Sequence, residues 1–143
     1  MKKNTLILLW IGLLPLFLVG CGIVEDLLSD PAAGGLTSTG DAANGEALFA
    51  QPVIGANSAP GCITCHSLEP DVVIVGPSQA GVATRAETRV LSQSAEEYIR
   101  ASITDPNVFI VEGFAEGMMY QNYGTDLTAK EINDLVAYVL TLE

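Results

Sequence analysis

The chain has 143 residues, enough for one domain, and it carries 17 acidic residues against six basic ones for a formal charge of −11. Such a surface excludes nucleic acid and anionic lipid as natural ligands and suits a protein partner with a basic patch, where charge acts mostly on the rate of encounter. Only three cysteines occur, Cys21, Cys62 and Cys65, too few for a disulfide framework.

Residues 1–20 read as a targeting segment. Met1-Lys2-Lys3 is a short positive start, and an uncharged apolar stretch runs from Leu6 to Val19. That length suits a signal-peptide core better than a membrane span, which needs about 20 residues. The stretch ends Leu18-Val19-Gly20-Cys21, which resembles the bacterial lipoprotein signal. The resemblance implies cleavage before Cys21 and lipidation of Cys21, tethering the domain to the outer, periplasmic face of the cytoplasmic membrane. The alternative is an uncleaved anchor helix running on through Ile23-Val24, interrupted by Gly12 and Pro15; it too keeps the domain outside the cytoplasm. Processing would remove Lys2 and Lys3 and leave Arg85, Arg89, Arg100 and Lys130 against all seventeen acids, a formal charge of −13.

Residues 21–40 read as a lipid-anchored flexible linker, with Asp30-Pro31, Gly34-Gly35 and Thr37-Ser38-Thr39-Gly40 as turn and flexible-chain residues. Residues 41–50 read as a helix with Asp41 as N-cap, and Gly45 and Phe49 share a face. Residues 51–61 read as a loop, and residues 67–92 as mostly irregular chain carrying Gly76-Pro77. Residues 94–103 read as a second helix, opened by Ser94 and Glu97 at capping-box spacing and ended by Asp105-Pro106-Asn107. Residues 108–124 read as a long loop with a turn near Val111-Glu112. Residues 128–142 are the clearest helix: Thr128 and Glu131 have capping-box spacing, Leu127 and Ile132 stand at staple positions, and Ile132, Leu135, Val136, Val139 and Leu140 form one apolar stripe. No stretch alternates as a sheet requires. Residues 41–143 are therefore expected to form an all-α domain with much loop. So small a domain has little apolar surface to bury, and a large bound cofactor would complete its core.

The chemistry concentrates in Cys62-Ile63-Thr64-Cys65-His66. Cys-x-x-Cys-His is the pattern of c-type haem attachment. Two thiols three residues apart on one helical turn can add to the two vinyl groups of a porphyrin, and the adjacent imidazole then faces the iron. A thioredoxin-like couple would need a βαβ pattern, which is absent around it. A zinc site would need four ligands, and no other His and no suitable Cys remains. His66 is the only histidine, so the sixth iron ligand must be Met, a weaker donor, water or nothing. Beyond the targeting segment the only methionines are Met118 and Met119.

Over residues 41–142 the sequence is similar to the class I, monohaem cytochromes c. Gly45 and Phe49 match that family's N-terminal helix, Leu135 and Tyr138 its C-terminal helix, and Gly76-Pro77 its turn. The resemblance implies a fold of small helices and loops wrapped around one covalent haem c, with the Pro77 carbonyl accepting a hydrogen bond from His66 Nδ1–H. The run from Asp105-Pro106-Asn107 through Glu112-Gly113-Phe114 to Met119-Tyr120-Gln121-Asn122-Tyr123-Gly124 resembles cytochrome c domains fused to oxidase subunit II. It also resembles the monohaem subunits of respiratory assemblies, including alternative complex III. There the ligand Met precedes an aromatic residue by four positions, and Tyr123 then selects Met119. Tyr120 stands where the family usually has Pro, which implies a looser ligand loop, and the single Trp, Trp10, lies in the targeting segment. Arg85 and Arg89, soon after Pro77, are the candidates to pair with haem propionates.

His/Met ligation leaves no open position for a substrate, so the expectation is single-electron transfer and not enzyme catalysis. The expected role is a tethered carrier, or a subunit of a respiratory or photosynthetic complex. It would take electrons from a quinol-oxidising complex and pass them to an oxidase or reaction centre. The alternative is a haem enzyme or gas sensor with an open sixth position.

Overall fold

The computed structural model describes residues 40–143; the expected targeting segment, Cys21 and most of the expected linker lie outside the described residues. Helix α1 (Ala42–Phe49) starts where Asp41 turns its carboxylate back onto the amides of Ala43 and Asn44, at 2.9 and 3.3 Å. Helix α5 (Ala129–Val139) starts at a complete capping box between Thr128 and Glu131 and buries Ile132, Leu135, Val136 and Val139 along one stripe. These two helices make the most extensive helix pair in the domain.

Their close approach depends on glycine. A Cβ at Gly45 would fall 1.9 Å from the Asp134 carbonyl oxygen and 2.7 Å from Tyr138 Cβ, and one at Gly40 would fall 2.0 Å from the Asn133 carbonyl oxygen. Phe49 meets Tyr138 edge-on at the same crossing, with ring centroids 5.4 Å apart. Asp134 is buried here, yet its carboxylate is satisfied. It accepts the Asp41 amide at 2.8 Å and the Lys130 ammonium at 2.6 Å. The Lys130 ammonium holds its carboxyl below the ordinary range despite burial, with help from the Asp41 amide. A buried charge needs such partners.

Helix α3 (Ala95–Thr104) opens on the Ser94–Glu97 capping box and ends at Asp105. Arg100 on α3 reaches Asn133 on α5 at 2.8 Å and pairs with Glu96 at 3.0 Å. Between the helices the chain departs from the expected pattern in three places. Residues 67–92 are mostly irregular as expected, but helix α2 (Val82–Arg89) forms within their second half. It opens on Gly81 in the left-handed region (φ 68°), with no side-chain cap, so the usual start signal is missing. Its buried positions are the small residues Ala83 and Ala86. The loop over 51–61 contains a two-residue antiparallel pair, β1 (Val53–Ile54) with β2 (Ala59–Pro60), too short to alternate. The long loop closes with a single helical turn, α4 (Tyr123–Asp126). The turn expected near Val111 is present, the Phe114 amide donating to the Val111 carbonyl. Among the described residues no helix is long and apolar enough to cross a membrane.

Candidate cofactor site

The cysteine pair sits on a 3₁₀ turn (Cys62–Thr64), where the amides of Cys65 and His66 both donate to the Cys62 carbonyl. Both thiols are half-buried and unpaired. They edge a cavity of about 610 Å³ bounded largely by apolar side chains from every part of the domain, from Phe49 on α1 to Val139 on α5. Its size falls in the range of about 300–1,000 Å³ typical of cofactor sites. Burial pushes the Cys62 thiol up to about 11, with a smaller push from the neighbouring Cys65, so Cys62 is a protonated thiol at neutral pH.

His66 is held from two sides. Its ring packs on the backbone of Gly76, where a Cβ would fall 2.4 Å from Cε1. Its Nδ1 lies 2.8 Å from the Pro77 carbonyl oxygen. A carbonyl can only accept, so Nδ1 carries the proton and Nε2 keeps its lone pair for a metal. Burial lowers the His66 pKa, favouring the neutral ring, and the hydrogen bond to Pro77 opposes this. The loop that supplies Pro77 is itself anchored. The Arg85 guanidinium donates to the carbonyls of Ala80 and Ser78 at 2.5 and 2.9 Å, and Ser78 Oγ donates to the Glu69 carbonyl at 2.7 Å.

Of the two methionines, Met118 is 49% exposed and its sulfur is 3.4 Å from the Ala115 amide. Met119 is half-buried against the core cluster. Both line the cavity. The loop after Met119 is not loose, despite the missing Pro. Tyr120 Oη donates to Asp126 Oδ2 at 2.5 Å, Asn57 Nδ2 donates to the other oxygen of Asp126 at 2.7 Å, and the Tyr120 ring meets Tyr123 edge-on. These two donors hold the Asp126 carboxyl below its ordinary range. Tyr123 is buried, and its hydroxyl donates to the Pro60 carbonyl at 2.5 Å, joining the loop after Met119 to the chain just before Cys62.

Arg85 and Arg89 both line the cavity, Arg85 with its guanidinium engaged on the 78–80 loop. Cys21 lies outside the described residues. Among the described residues no three His, Cys, Asp or Glu side chains stand together as a metal site. The donors on the cavity are instead two thiols, one imidazole and thioethers, the set suited to a covalently held haem.

A family model described as Cytochrome c matches residues 42–143. The chain belongs to the cytochrome c family. A search of curated proteins finds no match to it. The cytochrome c assignment accounts for the mostly helical fold and for a cofactor, covalent haem c, at the Cys62–His66 turn. It also gives the protein its general activity, haem-based electron transfer.

Sequence reasoning missed Gln79, whose side-chain amide lies 2.9 Å from His66 Nδ1. Its only signal was position, two residues past Pro77. It also missed the Asn57–Asp126–Tyr120 chain, which depends on a tertiary contact between residues 69 apart.

Proposed function

We propose that this cytochrome passes single electrons through one haem c bonded to Cys62 and Cys65, with His66 and Met119 as axial ligands. When bound, haem supplies a one-electron ferric/ferrous couple. The chain's residues do the rest. Pro77 fixes the His66 tautomer and raises the basicity of the ring. Met119, half-buried against the core, would offer a thioether that closes the sixth position and raises the reduction potential. The apolar walls exclude water, and Arg85 and Arg89, which line the cavity, would offset propionate charge. The observation that supports this reading is the 2.8 Å contact from His66 Nδ1 to the Pro77 carbonyl, which leaves the Nε2 lone pair available to a metal.

In this reading the protein is an electron carrier or a monohaem subunit, not an enzyme in its own right. It is tethered through lipidated Cys21 at the outer face of the cytoplasmic membrane. Its donor is a quinol-oxidising complex and its acceptor an oxidase or reaction centre. Support for protein docking comes from Val72, Val73, Ile74 and Val75, a run 41–59% exposed that leads directly into Gly76-Pro77. Exposed apolar runs of this kind mark interaction sites.

The test is the optical spectrum of the natively matured protein, oxidised and reduced, with and without carbon monoxide. The proposal expects a low-spin haem with the sulfur-to-iron charge-transfer band, no response to carbon monoxide, and loss of that band in Met119→Leu but not in Met118→Leu. A high-spin haem that binds carbon monoxide in the wild type would overturn it in favour of an enzyme or gas sensor.

A further inference from the structure

Two groups, not one, approach the proton on His66 Nδ1. The Pro77 carbonyl oxygen is 2.8 Å away, and the terminal amide of Gln79 is 2.9 Å away on its Nε2 side and 3.5 Å from the same carbonyl. Gln79 is half-buried on the cavity wall, and its position is set by the backbone on both sides. Its own amide donates to the Ser67 carbonyl at 2.8 Å, and Arg85 grips the carbonyls of Ser78 and Ala80. The amide is therefore delivered to the imidazole by a braced loop.

The chemistry decides which end of that amide faces the ring. Nδ1 is protonated because Pro77 offers only an acceptor. An amide NH₂ placed 2.9 Å from a protonated nitrogen would set two donors against each other. Turning the amide by half a rotation puts Oε1 there instead, and the two ends of a glutamine amide have the same shape. We infer that Gln79 Oε1 is a second acceptor for the His66 Nδ1 proton, sharing it with Pro77 in a three-centre hydrogen bond. This inference rests on His66 being the imidazole ligand of the iron. Two acceptors draw the proton outward and leave the ring more electron-rich at Nε2. An electron-rich ligand stabilises the ferric over the ferrous state, so Gln79 is a positioning and tuning residue that lowers the reduction potential.

The experiment compares wild type, Gln79→Leu and Gln79→Glu as natively matured, haem-loaded full chains. The readouts are the midpoint potential by spectroelectrochemical titration and the NMR shift of the His66 Nδ1 proton in the reduced state. Gln79→Leu keeps the bulk and removes the acceptor, so the potential should shift upward and the proton resonance should move upfield. Gln79→Glu keeps the acceptor and adds charge, so the potential should shift downward at neutral pH. It also serves as the test if the leucine variant fails to mature. An unchanged potential in both variants would overturn the inference and leave Gln79 as packing. A downward shift in Gln79→Leu would overturn it too, by showing that the amide had been donating to Pro77. These failures occur in a protein that is still low-spin. If His66 is not the ligand, the wild type itself lacks the low-spin spectrum, and the functional reading fails first.

Discussion

Replacing Gly45 with alanine adds one methyl group at the crossing of α1 and α5. The new Cβ would lie 1.9 Å from the Asp134 carbonyl oxygen, 2.6 Å from its carbon and 2.7 Å from Tyr138 Cβ, where 3.4 Å is ordinary contact. The helices must therefore part by about 1.5 Å, because two of the three obstacles are backbone and cannot swing aside. A gap of even 0.5–1 Å forfeits about a quarter to a half of the dispersion energy across it. Overpacking costs about 1–3 kcal/mol, and a backbone obstacle places this site at the upper end. Alanine returns about 1 kcal/mol through its helix preference. The net expectation is a loss of about 2 kcal/mol, which in a domain of this size lowers Tm by roughly 10 °C. Denaturant unfolding of the haem-loaded protein, followed by far-ultraviolet circular dichroism, measures it. Ala47→Gly, on the exposed face of the same helix, is the control, expected to cost about 1 kcal/mol. The two substitutions reverse the same exchange, so helix propensity cannot make both destabilising. A Gly45→Ala protein as stable as wild type would refute the steric argument.

Further expectations follow from single contacts. Tyr120→Phe should loosen the Met119 loop by releasing Asp126, seen as a weaker sulfur-to-iron band and faster carbon monoxide binding than in wild type. Tyr123→Phe leaves the Pro60 carbonyl without its donor and should cost about 1 kcal/mol in urea unfolding. The Asp134 carboxyl has a depressed pKa in the folded state. Its stabilisation is complete above the unfolded value of about 4 and is lost as pH falls through the folded value. Asp134→Asn should therefore be less stable than wild type at neutral pH, and the difference should close in acid. Asp134→Ala, which also strips the Asp41 amide of its acceptor, should lose about 1–2 kcal/mol more than Asp134→Asn. Electron transfer to a cationic protein partner should slow as ionic strength rises; a rate flat in salt would mean that docking is apolar or permanent.

Local chemistry made three helices legible. Asp41, Ser94 and Thr128 each announce a start, and each cap forms in the structure because the bond spans only two or three residues. Gly45 and Phe49 were readable as a packing face for the same reason, their spacing along one helix. Helix α2 was not legible. Its start is a left-handed Gly81, its buried face is alanine, and a loop seven residues upstream from Arg85 takes up that side chain. At the site, the Cys62–His66 run states its chemistry in five residues. The supports around it do not, because Gln79, Asp126 and Asn57 become partners only once distant segments meet. Tyr120 shows the difference best: by sequence it is a missing proline, and in space it is a tied side chain.

The bond from the Asp41 amide to Asp134 joins residues 93 apart. Closing so long a loop costs entropy before any contact repays it, and contacts this distant slow folding. Most of the surface on which helix α1 packs belongs to α5. A chain that folds from its N-terminus would thus present its Cys62–His66 turn before the domain could shut. The same crossing that makes the finished fold rigid would give the attachment chemistry time to reach two open thiols.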